Sequence, residues 1–174
     1  MTSMKIKSII LPLVLAAFIV ACGEDKPTKE GLLADFEKRE LQYKDANDLN
    51  QVNASADSML IALNAFEAVY ATDTAIAEMY FKVGMALQRA GKGKEAIKLY
   101  EKASDAKFDG YANSKCAQAL YQIAYIYQED IIDTRSARQY YRDLRKRYPN
   151  TLWANFAKEG LETLAKMNRG EIER

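Results

Sequence analysis

The 174-residue chain has no histidine and only two cysteines, three prolines and eight glycines. Without imidazole there is no Ser-His-Asp or Cys-His site and no zinc centre that needs a histidine ligand. The commonest general base near neutral pH is missing too. So few prolines and glycines argue against collagen-like, disordered and turn-rich β architectures. A formal net charge of +1 supplies no basic field to draw nucleic acid. No paired-carboxylate or glycine-loop arrangement stands out, so no enzyme activity, cofactor, metal or nucleic-acid partner is expected. What is present is 49% hydrophobic and 28% charged. A domain of about 150 residues buries about 68–70% of its unfolded surface, enough for a core without disulfides.

The N-terminus reads MTSMKIKSIILPLVLAAFIVAC. Lys5 and Lys7 precede an uncharged apolar run from Ile9 to Val20, then small Ala21. That is the layout of a secretory signal, and the run is shorter than the ~20 residues of a spanning helix. Ile19-Val20-Ala21-Cys22 resembles the lipobox of bacterial lipoproteins. The resemblance implies cleavage before Cys22 and acylation of Cys22, with several acyl chains giving a stable anchor. Cleavage removes no charges but Lys5 and Lys7, so the net charge falls from +1 to −1. Cys116 is then the lone thiol, with no partner for an intramolecular disulfide. It shares a helical face with Leu120 and Ile123, and is read either as a buried inert thiol or as a reactive one.

From Thr28 onward the apolar residues fall at helical spacing. Tyr80, Val83, Gly84 and Leu87 share one face of a first helix, and Ala96, Tyr100 and Ala103 one face of a second. Gly91-Lys92-Gly93 separates them by a link that only an antiparallel helix pair can use. The pattern returns with Leu120, Ile123, Ala124 and Tyr127, then Ala137, Tyr141 and Leu144, closed by Tyr148-Pro149-Asn150-Thr151. A more degenerate unit uses Leu32, Phe36 and Tyr43 in a helix near Glu30–Lys44, then Met59, Leu63, Phe66 and Tyr70. The Asn- and Asp-rich stretch Asp45–Asn53 between them reads as a loop. A last helix, Thr151 to about Met167, places Trp153, Ala157, Leu161 and Leu164 on its packing side.

This pattern resembles the tetratricopeptide repeat. Gly84 and Ala124 stand at the small eighth position of the first helix, Ala96-Tyr100-Ala103 and Ala137-Tyr141-Leu144 in the second, and Pro149 at the closing proline. From Ala96 to Ala137 is 41 residues, against a period of about 34. The excess fits the link Lys107–Ser114 and one added residue near Ile132. The expected fold is an all-α tetratricopeptide-type helical-hairpin solenoid of about three repeats plus a C-terminal capping helix. The expected organisation is a lipoprotein signal peptide at 1–21, a lipidated tether at 22–29, a helical domain at 30–168 and a tail at 169–174.

In that family the first helices line a concave groove. By register the groove positions are Glu78, Phe81, Met85, Gln88 and Arg89, then Gln118, Tyr121, Tyr125, Gln128 and Glu129. Phe81, Met85, Tyr121 and Tyr125 would form an aromatic strip for a partner peptide, or else pack between neighbouring repeats. The carboxylate clamp of chaperone adaptors is absent, since Phe81 and Met85 occupy its positions. Charge is polarised: net −7 between Glu24 and Glu78, net +5 between Thr134 and Arg174. Arg135, Arg138, Arg142, Arg145 and Lys146 form a basic face, either merely solvated or docking an acidic partner or lipid headgroups. The segment ARQYYRDLRKRYPNTLWANFAKEGLETL looks like repeats of the barrel-assembly outer-membrane lipoproteins and the periplasmic Tol–Pal coordinator. The resemblance implies a lipid-anchored envelope scaffold in the outer membrane, on its periplasmic face or at the cell surface, that binds envelope proteins or peptides. A self-associating structural lipoprotein, a homo-oligomer, is the alternative.

Overall fold

The computed structural model describes residues 26–108 and 113–172. The expected signal peptide, Cys22 and the first part of the tether lie outside the described residues. Seven α-helices occupy the described chain: α1 (Lys29–Lys44), α2 (Leu49–Tyr70), α3 (Ala75–Arg89), α4 (Gly93–Ala103), α5 (Asn113–Glu129), α6 (Thr134–Arg147) and α7 (Leu152–Asn168). A 3-10 turn lies at Ala106–Phe108, and there is no strand among the described residues. None of these helices is long and apolar enough to cross a membrane.

Short polar side chains set the starts of α1, α2, α6 and α7. Thr28 accepts the Gly31 N–H, Asp48 that of Gln51, Asp133 those of Arg135 and Ser136, and Thr151 that of Ala154. Each such cap is worth about 1 kcal/mol. The cap at Asp48 corrects one expectation. The loop after α1 is short, and α2 begins at Leu49 instead of beyond Asn53. Asn50, Gln51 and Asn53 belong to its first turns, where the Asn53 amide donates to the Leu49 carbonyl. Near the position where an added residue is expected, Ile132 has a φ of 65° in the turn between α5 and α6.

Each helix packs on the next, so α1–α2, α3–α4 and α5–α6 are antiparallel hairpins and α7 covers the last of them. Helix α5 also touches α3 and α7 across the repeats. The first helices of the hairpins thus run side by side, and the stack is an all-α helical-repeat solenoid. The expected core positions are buried: Met59, Leu63 and Phe66 in the first hairpin, Ala96, Tyr100 and Ala103 in the second, Ala137, Tyr141 and Leu144 in the third. Cys116 is also buried, and its thiol donates to the Ala103 carbonyl at 3.4 Å.

Polar ties fix the register between hairpins. Lys82 meets Glu40 at 2.8 Å, Lys92 meets Asp57 at 2.6 Å and Lys102 meets Glu67 at 2.8 Å. The Tyr140 hydroxyl donates to Glu101 at 2.7 Å, and Arg147 donates to the Ser104 carbonyl at 2.8 Å. Partial burial alone would raise the Glu40 carboxyl; hydrogen bonds from Lys44 and Lys82 outweigh it and hold the group below its ordinary range.

Candidate partner-binding face

The groove positions of α3 and α5 divide by depth. Phe81 is 1% exposed, lies 5.6 Å from the Tyr100 ring and is covered by the Lys115 ammonium at 4.9 Å. It belongs to the core, which corrects its assignment to the groove. Gln128 is 7% exposed and accepts the Tyr141 hydroxyl at 3.1 Å. Gln88 accepts the Tyr100 hydroxyl at 2.9 Å. Both glutamines were expected to face a partner; each instead satisfies a buried tyrosine of its own hairpin. Burial pushes both phenols well above their ordinary pKa, so they remain donors. Arg89 stays at the surface but is committed, donating to the Ala46 carbonyl at 3.0 Å and lying 5.4 Å over the Tyr43 ring.

The large hydrophobic groove residues left open are Met85, 40% exposed, and Tyr125, 41% exposed. Tyr125 is the outer member of a ring cluster centred on half-buried Tyr121. That ring lies 6.3 Å from Tyr125, 5.8 Å from Tyr141, 5.4 Å from Trp153 and 5.9 Å from Phe156. Trp153 and Phe156 come from α7 and are themselves half-buried. The helical spacing places Trp153 on the packing side of the expected capping helix and assigns Phe156 no role. The available signal was their i,i+3 spacing, which sets two large rings on one flank of α7.

The rim of this cluster is acidic. Glu129 lies one turn beyond Tyr125 on α5, and Glu159 one turn beyond Phe156 on α7. Both are exposed, and neither has a cationic partner among the described residues. Burial, then the neighbouring Tyr125, Glu159 and Glu129, push the Tyr121 phenol up. The surface therefore offers flat apolar rings edged by carboxylates.

The basic face lies on the second helix of the third hairpin, α6. Arg135, Arg142, Arg145 and Lys146 are exposed on α6, and no carboxylate among the described residues lies within ion-pairing distance of them. Arg138 is half-buried and donates to the Leu164 carbonyl at 2.9 Å, so it ties α6 to α7. A shallow groove between these helices is lined by Arg138, Arg142, Leu161, Ala165, Asn168 and Arg169. No group of three or more cysteine, aspartate and glutamate side chains among the described residues could hold a metal ion.

A family model described as tetratricopeptide repeat matches residues 118–151. The match spans most of α5, all of α6 and the closing turn through Pro149. No curated protein and no solved structure matches the chain. The stacked hairpins and this repeat define the class: an all-α helical-repeat protein of the kind that binds protein partners.

Proposed function

We propose that the protein is a lipid-anchored scaffold of the bacterial envelope that holds protein partners against its first-helix face. The observation that carries the reading is the ring cluster of Tyr121, Tyr125, Trp153 and Phe156, left partly open on a rigid helical stack. Rigid aromatics present large area at little entropic cost and serve as interface anchors. The lipobox-like Ile19-Val20-Ala21-Cys22 supports the anchor and an outer-membrane location. Resemblance to assembly and Tol–Pal-associated repeats supports a role in outer-membrane assembly or cell-division coordination. The mechanism is stoichiometric binding and needs no histidine.

Two measurements test it. Crosslinking in intact cells, then capture of the protein, reports its partners. Tyr125→Ala with Phe156→Ala is expected to weaken capture about 30-fold or more, the effect of losing a hot spot of about 2 kcal/mol. Capture equal to wild type sinks the reading. Cys22→Ser is expected to abolish acyl labelling and move the protein from the membrane fraction to the soluble one. A variant that keeps its label and its place removes the anchor from the proposal.

A further inference from the structure

Two surfaces around the third hairpin and α7 are complementary, and no ion pair joins them within the molecule among the described residues. The first is the acidic-rimmed ring cluster of α5 and α7. Tyr121, Tyr125 and Glu129 recur every fourth residue on α5, a row about 12 Å long at ~1.5 Å per residue. Phe156 and Glu159 run beside them on α7. The second is the basic stripe of α6. Arg135, Arg138, Arg142 and Arg145 alternate at three- and four-residue intervals, which makes one straight stripe about 15 Å long.

The molecule already pairs cations with rings at several places in its own packing. Lys115 lies 4.9 Å over Phe81, Arg89 lies 5.4 Å over Tyr43 and Arg147 lies 5.1 Å over Tyr148. In the second hairpin a lysine of the next helix covers the exposed edge of the strip. In the third, Trp153 and Phe156 cover Tyr121, and Tyr125 projects beside Glu129 with no cation over it. Arginine above tyrosine and beside a carboxylate satisfies both groups at once.

We infer that the α6 stripe of a second copy of this chain docks on the ring cluster of the first, with Arg142 and Arg145 over Tyr125 and Phe156 and paired with Glu129 and Glu159. The inference rests on the reading of the first-helix face as a binding surface and names its occupant. The contact joins two different surfaces, so it is heterologous and repeats from copy to copy. A row of lipid-anchored copies would then present their acidic N-terminal hairpins, α1 and α2, in register.

The test uses the full chain in non-ionic detergent, read by sedimentation velocity across concentration and salt. Wild type is expected to form dimers and larger species that disperse as salt approaches about 1 M, where screening reaches about 3 Å. Glu129→Lys with Glu159→Lys, and separately Arg142→Glu with Arg145→Glu, are each expected to weaken association about tenfold or more, as close pairs turn repulsive. An equimolar mixture of the two variants offers two matched pairs, the native stripe on the native rim and the charge-exchanged stripe on the charge-exchanged rim. It is expected to restore dimers and larger species in which the two variants alternate. A wild type that stays monomeric at all concentrations overturns the inference, including one that instead binds vesicles of anionic lipid through Arg142 and Arg145. So do oligomers that persist in both double variants, and a mixture that remains monomeric. If the copies do not associate while Tyr125→Ala with Phe156→Ala still loses captured proteins, this inference fails and the scaffold reading stands.

Discussion

Tyr141→Ala is expected to remove about 3–5 kcal/mol of stability, the range for truncating a large buried aromatic. Domain stabilities run from about 5 to 15 kcal/mol, so this is a large share of the whole. The ring is 1% exposed and lies 5.8 Å from Tyr121. Its edge fits against Gly160 of α7, and its hydroxyl donates to Gln128 of α5. One side chain therefore joins α5, α6 and α7. Removing it opens a cavity among three helices and strips the Gln128 carbonyl of that donor. Repeat stacks lose structure from their ends, because each unit leans only on its neighbours. Amide exchange should therefore accelerate first in α7, before the global transition. Tyr141→Phe separates the two contributions. It keeps the ring and loses the hydroxyl, for an expected 1–3 kcal/mol with about 1 the nearer figure. Equal losses in the two variants, read from denaturant midpoints, would show that the ring's packing contributes nothing.

The same tyrosine shows what was legible in the sequence and what was not. Alanine and tyrosine at helical spacing, the Gly91-Lys92-Gly93 break and Pro149 were enough to place the hairpins, since periodicity and breakers are local properties. The family register also aimed Phe81, Met85, Tyr121 and Tyr125 toward one side. Depth was not legible, because it depends on what the next helix lays over each position. Lys115 covers Phe81, Trp153 and Phe156 cover Tyr121, and nothing comparable covers Met85 or Tyr125. The roles of Gln88 and Gln128 are hidden in the sequence for a related reason. Polar side chains on a groove-facing register look available to a partner. Yet a buried tyrosine hydroxyl requires an acceptor, and Gln four residues after the small position is the acceptor within reach in both hairpins. The Asp45–Asn53 stretch failed through chemistry shared by loops and helix starts. Asp and Asn favour both, and only the hydrogen bond from Gln51 to Asp48 decides between them.

Gly160→Val is expected to lower stability by about 3 kcal/mol, the upper end of the overpacking range. A Cβ built at Gly160 would stand 2.6 Å from Tyr141 Cζ, 2.7 Å from Cε2 and 3.0 Å from the hydroxyl oxygen. The ring cannot retreat easily, since Tyr121 packs against it and Gln128 holds its hydroxyl. Gly84 is the counterpart in the second hairpin, where the nearest approach is 2.9 Å to Tyr100 Cε1. Alanine at either site gains about 1 kcal/mol of helix propensity over glycine and loses about 1–3 kcal/mol to overpacking. At Gly84 these two effects nearly cancel. At Gly160 the closer approach makes the steric loss dominate. The order of damage should be Gly160→Val, then Gly160→Ala, then Gly84→Ala. If the ring is the sole cause, the sign must change once it is gone. In a Tyr141→Ala background, Gly160→Ala should stabilise by up to about 1 kcal/mol, a non-additivity that a double-mutant cycle on denaturant midpoints measures directly. Additive losses would mean that the glycine serves some need other than the close approach of Tyr141.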